Sequence, residues 1–181
     1  MNKIPSVNLA DFLSNDKKRK QKFIDEINNV FDEKEQTTVV DNLYKEIKNF
    51  FDLPTEVKEK YEIPGIGGQR GYVSFGKESA KGKKEGDLKE FWHFGQYVDK
   101  DSKYADEYPE NVIVEELPNF NKVGKETYQM LEKTAKYVLR SLALHLGLEE
   151  TYFDNYIKNG NSILRPIHYP PIETEPKGAE R

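Results

Sequence analysis

Arg165, His168 and Tyr169 fall within one stretch, Asn161 to Pro171 (Asn-Ser-Ile-Leu-Arg-Pro-Ile-His-Tyr-Pro-Pro). A guanidinium offers a fork to a carboxylate, an imidazole can hold a metal or a proton, and a phenol can donate to an anion. The stretch reads as a strand framed by turn residues, with Ile163, Arg165, Ile167 and Tyr169 on one face and Leu164, Pro166 and His168 on the other. On such a strand Arg165 and Tyr169 stand about 13 Å apart. If their face points inward, the guanidinium needs an anionic partner, either a protein carboxylate or a carboxylate-bearing small molecule. His168 alone is no metal site, because a facial triad needs two further ligands converging on it. The sequence contains no His-x-Asp or His-x-Glu.

A second group of candidates precedes it. Pro64 to Tyr72 (Pro-Gly-Ile-Gly-Gly-Gln-Arg-Gly-Tyr) is rich in glycine but has neither a strand before it nor a capped helix after it, so it is not a phosphate-binding loop. It reads as a loop needing positive φ or close backbone approach, with Arg70 and Tyr72 projecting from it, and either structural or lining a site. Asp87 to Phe94 reads as a strand, with Leu88, Glu90, Trp92 and Phe94 on one face and Lys89, Phe91 and His93 on the other.

The elements that must position these residues are mostly helical. Ile4 to Leu9 is an extended entry set by Pro5. Asn15 or Asp16 caps a helix whose apolar stripe is Phe23, Ile24, Ile27, Val30 and Phe31; the Lys17 to Lys20 run is its solvated face. Thr37 and Thr38 are candidate caps for a helix with Val40, Leu43, Tyr44, Ile47, Phe50 and Phe51 on one side, ending at Pro54 before a short helix Thr55 to Tyr61. Ser79 to Gly86 is a Lys/Gly connection and Asp99 to Asn119 a polar surface excursion. The longest helix runs from about Phe120 to Leu146, with Val123, Met130, Leu131, Ala135, Val138, Leu139, Leu142 and Leu146 in its stripe, His145 beside it as a structural histidine and Gly147 at C′. A short helix over Glu149 to Lys158 leads to Asn159-Gly160.

With 181 residues the chain can bury a core without a covalent staple, and one domain is expected. Without cysteine there is no disulfide framework, thiolate metal site or cysteine nucleophile, and a cytoplasmic location is expected. A net charge of -4 with 33% charged residues gives no general attraction to nucleic acid, and 12% aromatic residues argue against disorder. No leader is expected, and no segment approaches the roughly 20 apolar residues of a membrane helix, so no membrane partner is expected.

Taken in order, Ile-Pro-x-Val-x-Leu from Ile4, the helix Leu43 to Pro54 (Leu-Tyr-Lys-Glu-Ile-Lys-Asn-Phe-Phe-Asp-Leu-Pro), Gly-Gly-Gln-Arg-Gly-Tyr at 67–72, Asp-Leu-Lys-Glu-Phe-Trp at 87–92 and the closing Tyr-Pro-Pro resemble the isopenicillin N synthase-like non-haem iron oxygenases, most of which use 2-oxoglutarate. The resemblance implies an α+β, mainly helical fold, in which residues 1–160 form the helical N-terminal region and 161–181 begin an incomplete double-stranded β-helix, or jelly-roll, core. It implies oxidation of a small-molecule substrate, with iron(II) and 2-oxoglutarate as cofactors of the family. It places Tyr169 at a co-substrate or substrate carboxylate, Arg165 at a substrate-contacting basic position, Phe91 in the wall of the substrate pocket, and Arg70 and Tyr72 on the loop over its mouth.

The sequence departs from the family in three ways. Ile167 stands where asparagine is frequent, Phe31 to Thr38 is a charged connector where a strand and an Asn-His-Gly-like turn are usual, and the iron motif is absent up to Arg181. The expectation is therefore a shortened family member that by itself holds neither iron nor catalytic power. The alternatives are half of an enzyme completed by a complementary segment, or a helical interaction module whose stripes are covered by a partner or in an oligomer, since apolar stripes left wet forfeit roughly 1.5 to 3 kcal/mol per large side chain.

Overall fold

Glu33, Lys34, Glu35 and Gln36 are all good helix formers, and in the computed structural model they begin an element: helix α1 runs Glu33–Phe51. This corrects the caps expected at Thr37 and Thr38 and the connector expected up to Thr38, because both threonines lie inside the helix. The structure describes residues 8, 11, 14–22, 33–79, 85–99 and 101–172. The entry expected at Ile4 to Leu9 (Asn8 apart), the stripe Phe23 to Phe31, residues 80–84 of the Lys/Gly connection, the His145 side chain and residues 173–181 lie outside the described residues. Residues 17–22 are helical, and Asp16 caps them as expected, its Oδ1 accepting the Lys18 N–H at 2.8 Å.

The chain divides into two compact units, Met1–Asn42 with Gln129–Lys158, and Leu43–Tyr128 with Asn159–Arg181. In the second unit, Leu43, Ile47, Phe50 and Phe51 of α1 are buried at three- and four-residue steps, whereas Tyr44, expected in the same stripe, is 72% exposed. Pro54 opens α2, Thr55–Lys58, its carbonyl accepting the N–H groups of Val57 and Lys58 at 2.9 and 3.1 Å. A 3-10 turn, Glu59–Tyr61, follows directly, as the Thr55 to Tyr61 pattern predicts.

The sheet of this unit is built on one central strand. Strand β1, Gly71–Val73, pairs antiparallel with β2, Glu90–Gly95, placing Tyr72 opposite Trp92 and Gly71 opposite His93. The expected strand Asp87 to Phe94 thus starts later, because Asp87 is held in a turn: its N–H donates to the Glu78 carbonyl at 2.7 Å and its carbonyl accepts from Lys89 at 2.8 Å. On the other side of β2 lie β3, Ile163–Leu164, and β4, Ile167–His168, also antiparallel. The single strand expected over the Asn161 to Pro171 stretch is therefore two short ones broken at Arg165-Pro166. Pro166 has no N–H for the ladder, yet its carbonyl still accepts from the Trp92 N–H at 3.1 Å. The predicted face parity survives the break, since Leu164 lies opposite Phe94, His168 opposite Glu90 and Ile167 opposite Phe91.

The core face of this sheet carries Trp92 and Phe94, which pack with Phe50 and with Phe120 of helix α3, Pro118–His145. Ring centroids are 4.9 Å apart for Phe50–Trp92 and Trp92–Phe120 and 5.0 Å for Phe50–Phe120, pairs worth about 0.5 to 1.5 kcal/mol each beyond area burial. Pro118 begins α3 at the position where a missing N–H costs nothing. Gly124 lets the helix meet the sheet, because a Cβ there would overlap the Phe94 ring. The excursion before α3 is not wholly on the surface, as Val114 is buried, held by Asn121 Oδ1 accepting its N–H at 2.8 Å. Asn111 acts as a substitute strand: its amide accepts the Gly95 N–H at 2.8 Å and donates to the Gly95 carbonyl at 3.0 Å.

In the first unit, α3 ends with Gly147 at φ 71°, and the Leu148 N–H donates to the Ala143 carbonyl at 2.9 Å, the closing bond of a Schellman motif. The expected helix Glu149 to Lys158 shrinks to α4, Asp154–Ile157, preceded by turns. Asp154 receives a two-pronged contact from Arg140, Nε at 3.0 Å and Nη2 at 2.6 Å, and Lys136 at 3.1 Å. These hydrogen bonds outweigh desolvation and pull the Asp154 carboxyl down to about 2. Leu131, Val138, Leu142 and Leu146, expected to be buried, are exposed.

Candidate functional site

Because β2 alternates, its two faces carry different chemistry. The core face has Glu90 at its start, a carboxylate in an apolar setting that must be paired or expelled. Lys58 of α2 donates to both its oxygens, at 3.0 and 2.7 Å, and to the Phe51 carbonyl at 3.1 Å. The Tyr72 hydroxyl donates to Oε2, and His168 Nδ1–H donates to Oε1 at 2.8 Å while its ring stacks on Phe51. Burial alone would raise the Glu90 carboxyl, but the bonds from Lys58, Tyr72 and His168 hold it below the usual range. Burial and the same carboxylate push the Tyr72 phenol up. One carboxylate thus ties α2, β1, β2 and β4 together.

The opposite face carries Phe91 and His93 from β2 and Arg165 from the break between β3 and β4. The Arg165 guanidinium lies 3.7 Å over the Phe91 ring centre, and the rings of Phe91 and His93 are 4.9 Å apart. Arg165 Nη2 donates to Glu78 Oε2 at 2.6 Å, and Lys89 reaches Glu78 at 2.8 Å and Asp87 at 2.7 Å. Burial would raise the Glu78 carboxyl, yet its bonds from Lys89 and Arg165 keep it low. The Nε of Arg165 is buried and has no hydrogen-bond partner. His93 Nδ1–H donates to the Gly68 carbonyl at 2.6 Å, and burial pushes its imidazole down, toward the neutral form. Gly68 stands at φ +70°, with Val73 2.8 Å from where a Cβ would be, so the turn that aims this carbonyl requires glycine.

Of the residues singled out in the sequence, the structure brings Arg165 and Phe91 together; Tyr169, just past β4, is 42% exposed. The two expected to project from the glycine-rich loop do not project. Tyr72 is buried on the core face against Glu90, and Arg70 is 0% exposed. Gly65, Gly67, Gly68 and Gly71 all have positive φ, as the loop's composition predicts. The hub at Glu90 and the Glu78 partner of Arg165 escape a reading by motif. A glutamate on the apolar face of a strand was the available signal, since such a charge demands a partner elsewhere in the chain.

Among the described residues no group of three or more His, Cys, Asp or Glu could hold a metal ion. Iron(II) therefore does not fit the described residues, and no step of a reaction can be routed through it here.

Residues 4–116 match the profile of a family described as the N-terminal region of the non-haem dioxygenases in morphine synthesis. A 2-oxoglutarate-Fe(II) type oxidoreductase of Aspergillus fumigatus is 32% identical over 133 residues, 68% of this chain and 39% of the relative. The validamycin A dioxygenase of Streptomyces hygroscopicus is 30% identical over 138 residues, 74% of this chain and 38% of its own length. Among solved structures, a 2OG-Fe(II) oxygenase family protein from Caulobacter crescentus superposes with a TM-score of 0.69 at 37% identity, covering 77% of this chain and 45% of that one. A full-length Neurospora crassa protein solved in complex with alpha-KG matches at TM-score 0.57 and 23% identity over 92% of this chain and 51% of that one, a likeness of fold alone. The chain spans about two-fifths of the length of these curated relatives.

Proposed function

The chain belongs to the 2-oxoglutarate- and iron(II)-dependent non-haem oxygenases, and from that premise we propose that its residues form the substrate-side part of such an enzyme, acting on a small molecule, and that the chain by itself does not hold the iron. The observation that carries this reading is the Arg165–Phe91 face within a chain that matches the family's N-terminal region. Phe91 supplies an apolar wall. Arg165 packs over it with its charge paired to Glu78 and its side chain partly exposed beside that wall, where it can meet a polar group of the substrate. Tyr169, exposed beyond β4, is the proposed contact for a co-substrate or substrate carboxylate, and Arg70 and Tyr72 support the loop beside the site rather than reach into it. Iron(II) and 2-oxoglutarate, when bound, supply the oxidising chemistry of the family. The jelly-roll start is proposed at residues 161–181, following the helical region 1–160.

Titration calorimetry of the isolated chain with iron(II) and 2-oxoglutarate tests this. The expected outcome is no stoichiometric iron site. A tight one-to-one site would overturn the claim that the chain by itself does not hold the iron.

A second reading, a helical interaction module, is favoured by one observation: the exposed row Leu131, Val138, Leu142 and Leu146 at helical spacing on α3.

A further inference from the structure

Phe91, His93 and Gly95 follow one another along the face of β2 that is turned away from the Trp92 and Phe94 side. Arg165 covers one end of that row, its guanidinium 3.7 Å over the Phe91 ring centre. Arg70 covers the other end, where a Cβ on Gly95 would overlap its guanidinium. His93 stands between them, its ring 4.9 Å from that of Phe91.

The tautomer of His93 carries the inference. Its Nδ1 lies 2.6 Å from the Gly68 carbonyl, which can only accept, so the ring carries a hydrogen on Nδ1. Burial pushes the imidazole down and, with the charges of Arg165 and Arg70, outweighs the Gly68 carbonyl and Glu78. The ring is therefore neutral at neutral pH, and a neutral ring with its hydrogen on Nδ1 has a bare lone pair on Nε2. No described residue donates to that nitrogen. The two flanking guanidinia are turned to other acceptors, Arg165 to Glu78 and Arg70 to the Gln69 carbonyl. A histidine that only pinned the glycine turn would use Nδ1 alone. The second nitrogen gives this partly exposed ring an acceptor beside an apolar wall.

We propose that His93 is a substrate-positioning residue: its Nε2 accepts a hydrogen bond from a neutral donor, a hydroxyl or an N–H, on a small molecule whose apolar part lies against Phe91. The donor is neutral because an ammonium would meet the same two guanidinia that favour the neutral imidazole. The inference deepens the proposed function and rests on its assignment of the Phe91 face to the substrate.

The test reads binding and needs neither iron nor turnover. Benzyl alcohol, benzyl methyl ether and benzylammonium are titrated into the chain while the nitrogen-15 signals of the histidine rings and the carbon-13 signals of the phenylalanine rings are followed. The alcohol should move the His93 Nε2 signal upfield, toward that of a protonated ring nitrogen, and saturate. The ether should move the Phe91 ring signals alone and bind about three- to ten-fold more weakly, and benzylammonium should bind no better than the ether. His93→Asn keeps a donor where Nδ1 stands and removes Nε2, so it should bind alcohol and ether alike, with a melting temperature close to the parent's. His93→Gln places an amide oxygen where Nε2 stands and should restore the preference for the alcohol, which a residue that only pinned the turn would not do. Should either variant fail to fold, the parent titration still decides. Equal binding of alcohol and ether by the parent, an unmoved Nε2 signal, or a preference kept in His93→Asn overturns the inference, while Phe91 shifts in the same spectra leave the proposed function standing. If no probe moves the Phe91 ring signals, the assignment of this face to the substrate falls as well.

Discussion

Lys58 and Glu90 make each other tolerable inside the protein, so removing one leaves the other stranded. Lys58→Met keeps the volume but leaves the Glu90 carboxylate short of its cation and of two of its hydrogen bonds, at a cost of about 3 to 5 kcal/mol, visible as a lowered urea midpoint. The same pair sets an acid limit. The Glu90 carboxyl lies below its ordinary value in the folded chain, so the unfolded chain takes up the proton first. Its contribution is complete above the unfolded carboxyl range and is lost as pH falls below about 4. Urea midpoints measured from neutral pH down to that range should fall for the parent and fall less steeply for Lys58→Met. At this scale the sequence was half legible: Arg165 pairs with a protein carboxylate, one of the two partners its chemistry allowed. Arg70 reads as a loop residue in sequence because local composition does not report which side of a loop a long side chain takes.

Elements were legible where periodicity was long and caps were chemical. The stripe Leu43, Ile47, Phe50 and Phe51, the alternation of β2 and the stop at Gly147 all follow from spacing and φ preference. The break at Arg165-Pro166 and the Asn111 side chain standing in for a strand were not, since each depends on a partner distant in sequence. Gly124 belongs to the same class. Nothing in the pattern of α3 singles it out, yet it is where the helix meets Phe94, a ring already enclosed by Trp92 and Phe120. Gly124→Ala gains helix propensity of up to about 1 kcal/mol and loses about 1 to 3 kcal/mol to overpacking. The expected outcome is a net drop in urea midpoint with an unchanged slope; a stabilised variant would show that the ring can move aside.

For the molecule as a whole, family membership was legible because several modest motifs occur in the right order, and the family profile over residues 4–116 agrees. Which apolar surface stays wet was not, because amphipathic spacing says that a face is apolar and not what covers it. The row Leu131, Val138, Leu142 and Leu146 is exposed. If a partner or a second copy covers it, sedimentation should show concentration-dependent association that Val138→Lys with Leu142→Lys abolishes without lowering the melting temperature. A monomer at all concentrations counts against the interaction-module reading.

Pro166 gives the sheet a directional property. In a strand, a residue's N–H and carbonyl point to the same side, and the Pro166 carbonyl points at Trp92. The one residue unable to donate is therefore turned inward, where the loss falls on the sheet's own ladder. The outward donors belong to its neighbours, and no described strand lies beyond β3 and β4. A proline in an outer strand usually guards against further pairing; turned inward, Pro166 does not itself block a further strand on the outer side of β3 and β4.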